Sequence, residues 1–226
     1  MLVQVTKYDI QFQLKQGFYL VYGILSLLYI FILFNVPLHV RTEVTAYLIL
    51  SDTTVLGLTF VGALVLLEKQ QNVLQSLFIT PLKLSTYLAG KVLSLALISV
   101  IASSLIGFVP GGMLSNWIWA LVAIVLSSMF FTLFGLGVAA RVNSLNQYIV
   151  GIIVGGMVMG LPVALYFIWP DLSVIFPINA TIDLLITDPS VQTVKGIIAD
   201  VSVLVCWNIV GFLFAYRQFN HYVLER

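Results

Sequence analysis

Residues 114–140 read LSNWIWALVAIVLSSMFFTLFGLGVAA, a run without a charged side chain. A helix needs about 20 apolar residues to cross a bilayer's hydrocarbon core. In lipid every backbone N–H and C=O must be bonded within the segment, so such a run is expected to be a transmembrane helix. Working outward from it, five more runs of this kind appear: Gly17–Pro37, Val44–Leu67, Leu84–Val109, Gln147–Trp169 and Gly196–Tyr216. With Leu114–Ala140 they predict an all-α polytopic membrane protein of six spans, with residues 1–226 as a single transmembrane domain.

Composition leads to the same class. The chain is 61% hydrophobic and 8% charged, against roughly 25% charged in an average soluble domain. Its mean hydropathy is +1.09. Too few polar side chains exist to cover a soluble surface. A net charge of +1 gives no electrostatic basis for a nucleic-acid partner. The single cysteine, Cys206, excludes an internal disulfide and a cysteine-based metal site, and its apolar surroundings read as packing. The N-terminal segment is expected not to be a cleavable signal, because the apolar run after it is too long and no small-x-small site follows.

Orientation follows from the basic residues of the short loops. With both termini in the cytoplasm, Lys7, Lys15, Lys69, Lys83, Lys91, Arg141, Arg217 and Arg226 lie inside, and only Arg41 and Lys195 lie outside. That bias predicts that both termini lie in the cytoplasm. A multi-pass plasma-membrane protein, bacterial by type, is expected. Trp117, Trp119 and Trp169 then fall near the outer interface, where amphipathic rings prefer to sit. The loop between spans five and six is external, and its apolar middle, IFPINATIDLLI (175–186), is expected to form a short helix. The Asn179-Ala180-Thr181 acceptor pattern inside it is read as chance. In residues 1–16, Tyr8, Ile10, Phe12 and Leu14 alternate with polar residues, a strand-like period. A lone strand beside a membrane would leave its edges unpaired, so an interfacial helix is expected.

Between spans two and three the chain turns polar: EKQQNVLQSLFITPLKLSTYLAGK, 68–91. Val73, Leu74, Leu77 and Phe78 fall at helical spacing, which fits a short amphipathic helix. The residue before a proline is pushed out of the helical region, whereas proline itself suits a helix start and Thr80 can cap it. One helix is therefore expected to stop near Ile79 and the next to begin near Pro81, forming a cytoplasmic elbow. Taken alone, such an elbow is usually only a connector.

The order Glu68, Leu74, Leu77, Thr80-Pro81-Leu82, Tyr87, Gly90-Lys91 resembles the pattern of type-2 ATP-binding cassette permeases, nearest to the fluoroquinolone and antibiotic-peptide export permeases. The resemblance implies a dimer of six-span subunits, either a homodimer or a pair with a sister permease. It implies that each subunit docks a separate ATPase through a coupling helix, with Glu68, Val73, Leu74, Leu77, Phe78, Thr80 and Pro81 as the docking set. It implies that ATP and Mg are bound by that partner. The chain itself has no G-x-x-x-x-G-K-[ST] sequence, since Ser85 stands where the first glycine is needed, and no cofactor is expected on it.

An ionisable residue within a span costs roughly 2.5–3.5 kcal/mol on insertion scales. Asp52 with Thr53 makes a polar patch in span two and is the candidate pathway residue. Lys91 is expected to snorkel to the cytoplasmic face as an anchor, and Asp200 to be an interfacial, hydrated carboxylate. In span five, Gly151/Gly155 and Gly156/Gly160 are four apart, a spacing that lets helices approach closely, either within one subunit or at a dimer interface. An ion-gradient-driven carrier and an intramembrane enzyme are the other function classes. The first usually shows inverted repeats, and none is evident. The second needs a nucleophile–base pair or a metal set, and the two histidines, His39 and His221, sit at span edges. The sequence is therefore read as a non-catalytic subunit.

Overall fold

The computed structural model describes residues 1–74, 82–109, 117–165, 175–186 and 193–221, without the side chains of 55–56 and 158–165. Among the described residues every regular element is helical. In order they are α1 (Leu2–Lys15), α2 (Phe18–Asn35), α3 (Leu38–Val55), a π-helical turn (Leu56–Phe60), α4 (Val61–Gln70), α5 (Leu84–Gly107), α6 (Trp117–Arg141), α7 (Leu145–Leu165), α8 (Pro177–Ile186) and α9 (Val194–Phe219). Among the described residues five helices are long and apolar enough to cross a membrane: α2, the continuous Leu38–Gln70 helix, α5, α6 and α9. The expected fifth span, Gln147–Trp169, falls on α7, whose side chains are described only as far as Met157.

The helix boundaries have local causes. Gly17 turns the chain between α1 and α2 at φ 78°, a left-handed conformation that glycine adopts without steric cost. Val36, before Pro37, is extended, as a residue before proline must be, and ends α2. Arg41 then folds back to donate from Nε (3.2 Å) and Nη2 (2.8 Å) to the Val36 carbonyl. This lets the second span start at Leu38, six residues before the expected Val44. At the far end, Asn72 at φ 56° turns the chain after α4.

The bundle is apolar outside and partly polar inside. On α2, Leu20, Ile24, Leu27, Phe31 and Phe34 point outward, while Tyr22 and Ser26 are buried. Lipid is as apolar as a leucine side chain, so helix association there rests on close packing and interhelical hydrogen bonds. α6 runs through the middle and packs on α9, α5 and the π turn. A Cβ on Gly57 would lie 2.5 Å from Phe131 Cβ and 2.6 Å from Thr132 N, and one on Gly135 would lie 2.5 Å from the Gly57 carbonyl. The two backbones cross at these glycines. There Tyr148 of α7 donates its hydroxyl to the Leu58 carbonyl inside the π turn. Asn208 of α9 donates to the Leu126 carbonyl of α6 (2.9 Å).

Two apolar clusters lie at opposite ends of the bundle. One joins Leu74, Tyr87, Leu136, Ala140, Tyr148 and Phe219, and the other joins Leu33, Ala46, Ile106, Ala123, Leu184 and Ile197. The expected helix at 175–186 is present as α8, from Pro177. It packs against α9, α6 and α3, and Asn179 on it is buried.

Candidate functional site

α1 buries two of its polar side chains and leaves Gln4, Lys7, Gln11 and Lys15 exposed. Asp9 and Gln13, four apart and so on one helical face, are inside, while Val3, Tyr8 and Leu14 are outside. The strand-like alternation of residues 8–15 therefore had no bearing on which side chains face inward. The helical spacing of Asp9 and Gln13 was the available signal.

Those two residues meet a polar patch on α5. Lys91 Nζ lies 2.7 Å from Asp9 Oδ1 and also donates to Glu68 Oε1 of α4. Tyr87, one turn before Lys91, donates its hydroxyl to Glu68 Oε2 (2.7 Å). Gln13 Nε2 donates to Ser94 Oγ (2.9 Å), and Ser94 Oγ donates to the Lys91 carbonyl (2.9 Å). The Lys91 ammonium also stands 5.5 Å from the Tyr87 ring centre and 5.9 Å from that of Phe12. Asp9 is 2% exposed, and Glu68 and Lys91 are 0% exposed.

This revises one expectation. Lys91 does not snorkel, because its ammonium is held inward by two carboxylates. Glu68, named in the docking set, is buried, with its carboxylate bonded to Lys91 and Tyr87. Its neighbour Lys69 turns the other way and donates to the carbonyls of Ala139 (2.9 Å), Ala140 (2.9 Å) and Val142 (2.8 Å), capping the C-terminal end of α6. Glu68 and Lys91 flank the segment 71–83 in sequence. Both ends of the polar elbow are thus tied together and to α1.

Of the remaining docking set, Val73 is half-buried and Leu74 is buried in the core at this end. Leu77, Phe78, Thr80 and Pro81, and with them the expected coupling helix, lie outside the described residues. Asp52 and Thr53 are fully buried. Thr53 Oγ1 donates to the Leu50 carbonyl (2.9 Å), whereas neither Asp52 oxygen has a hydrogen-bond partner among the described residues. Asp200, expected to be hydrated, is only 6% exposed.

The glycines of span five, expected to pack helices closely, divide into two groups. A Cβ on Gly151 would press on Val138 (2.8 Å) and one on Gly155 on Phe134 (2.7 Å), so these two pack against α6 of the same chain. A Cβ on Gly156 would meet nothing within 4 Å among the described residues. Gly160, its expected packing partner, belongs to α7 but lies outside the residues whose side-chain surroundings are described.

The fluoroquinolones export permease protein family model matches residues 1–226. Two curated relatives, both fluoroquinolones export permease proteins of Mycobacterium tuberculosis (strains CDC 1551 / Oshkosh and ATCC 25618 / H37Rv), are each 24% identical over 172 residues. The alignments cover 75% of this chain and 73% of each relative.

Proposed function

The chain belongs to the fluoroquinolones export permease family, and from that premise we propose that it is the membrane-spanning permease subunit of an ATP-binding cassette exporter. It carries the conformational change and the cargo, while a separate ATPase subunit binds ATP and Mg and hydrolyses the nucleotide. The full-length family match is the observation that carries this reading. Support for the ATP-driven part comes from the polar elbow at 68–83 and from the absence of a phosphate-binding loop sequence in the chain. On this reading both termini and the elbow are cytoplasmic, six spans cross the membrane, and the elbow around Leu77 and Phe78 seats in the ATPase. A second permease copy, identical or sister, completes the pathway. An amphipathic drug of the class in the relatives' names is the first cargo to test.

The decisive experiment is a mild-detergent pull-down of the tagged chain from its native membranes, with the co-purifying proteins identified. A stoichiometric ATPase with a phosphate-binding loop, lost on Phe78→Asp while the spans stay folded, is the expected result. An intact chain that brings down no ATPase would shift the reading to a gradient-driven carrier. The feature that favours that second reading is Asp52, an intramembrane carboxylate with both oxygens unpartnered among the described residues.

A further inference from the structure

The triad beside α1 contains two carboxylates and one ammonium, so with all three ionised it buries one surplus negative charge. α2, the other helix against α1, carries no charged side chain. The charged groups facing Asp9 are therefore Lys91 of α5 and Glu68 of α4, with the Tyr87 hydroxyl already committed to Glu68. Asp9 uses only Oδ1. Its Oδ2 has no hydrogen-bond partner among the described residues and packs over Gly90, where a Cβ would lie 3.4 Å away. A proton on that oxygen neutralises the surplus. It has a route, because Asp9 lines a cavity of about 180 Å³ with Gln4, Val5, Tyr8, Leu82 and Tyr87 between α1 and the start of α5.

We propose that Asp9, Glu68 and Lys91 form a proton-binding latch that fastens the N-terminal helix to the bundle at the two ends of the 71–83 segment. With one proton taken from water onto Asp9 the triad is neutral and α1 is held. Loss of that proton leaves a buried, uncompensated carboxylate, and α1 loosens. The inference needs neither an ATPase nor a cargo, so it stands or fails separately from the exporter reading.

Burial raises the Asp9 carboxyl from its ordinary 3.8 to about 6, with the nearby Lys91 opposing and Glu68 assisting. A group whose pKa is raised in the docked state binds its proton more tightly there. Docking is therefore strengthened as pH falls through about 6 and is weakened as pH rises through it. For these two values the docked-to-undocked ratio rises about tenfold from pH 7 to pH 5.

The test is amide hydrogen exchange of residues 2–15 in the full chain in nanodiscs, between pH 5 and pH 8. Rates are corrected for the intrinsic pH dependence of exchange, and α6 amides serve as an internal reference. The expected result is about tenfold stronger protection of α1 at pH 5 than at pH 7, with α6 unchanged. Asp9→Asn, which is neutral at every pH, should keep α1 protected at pH 7 and abolish the dependence. Glu68→Gln, which removes the repelling carboxylate, should move the transition to lower pH. Protection of wild-type α1 that does not vary with pH would overturn the latch. So would an unchanged pH dependence in Asp9→Asn, or an unmoved midpoint in Glu68→Gln.

Discussion

At the residue scale the balance is set by Lys91. Its ammonium bonds two buried carboxylates at once, and it has no exposed surface over which to exchange partners for water. Removing one member of a buried ionic set costs about 3–5 kcal/mol, because the remaining charges stay in low dielectric without compensation. Lys91→Met, which keeps much of the volume, is expected to destabilise the chain by an amount of that order. Thermal unfolding in detergent would measure it. Double replacement by Asp9→Asn and Glu68→Gln in the Lys91→Met background should recover much of the loss, because no unpaired charge is then buried. A Lys91→Met variant as stable as the parent would mean that the ammonium faces water in the membrane-embedded protein. Lys91 and Glu68 were both legible as polar residues flanking an elbow. That they face each other was not, because the interval between them says nothing about which helical face each occupies.

At the element scale the π turn at Leu56–Phe60 is the irregular feature that brings α6 and α7 together. A π turn widens the helix and leaves carbonyls out of the regular ladder, and such turns occur frequently at functional positions. Here the Leu58 carbonyl accepts from Tyr148, and the missing side chain of Gly57 lets α6 approach to backbone distance. Gly57→Val is expected to push these helices apart, since its Cβ meets the Thr132 backbone nitrogen at 2.6 Å and backbone cannot rotate away. Overpacking of this kind costs about 1–3 kcal/mol. A lowered unfolding temperature together with faster hydrogen exchange at 56–60 and 130–136 would register it, and an unchanged exchange pattern would refute the crossing. The run Leu56-Gly57-Leu58-Thr59-Phe60 carries no proline, and a single glycine inside an apolar helical run does not by itself specify a wide turn. α1 is the opposite case. Its helical state was expected, but the side it buries was not legible in the alternation of its residues. Beside a bilayer the apolar side chains have lipid available, whereas Asp9 and Gln13 find their partners in the bundle.

At the scale of the whole molecule, the buried polar residues are what distinguish a transporter interior from simple helix packing. Asp52, Ser99, Ser103, Ser128 and Thr132 are fully buried, and each has a side-chain oxygen without a hydrogen-bond partner among the described residues. They lie on three helices, α3, α5 and α6. On the exporter reading, Asp52→Asn is expected to lower transport of a cationic cargo at least tenfold while leaving assembly unchanged. Efflux of cationic and neutral dyes from inverted vesicles would measure this, and equal loss for both dyes would remove Asp52 from cargo recognition. The sequence by itself determined the membrane class, the all-helical architecture, the helix at 175–186 and the export-permease resemblance. Each of these rests on run length, composition or a local order of residues, all of which are properties of contiguous chain. Tertiary structure alone decided that Glu68, Lys91 and Asp9 share one buried site, that Gly151 and Gly155 pack against α6 within the chain, and that Asp200 is sheltered from solvent. Those outcomes depend on how helices far apart in sequence are rotated about their axes. In a bundle surrounded by lipid, apolar side chains fit both the inside and the outside, so hydrophobic periodicity does not specify that rotation.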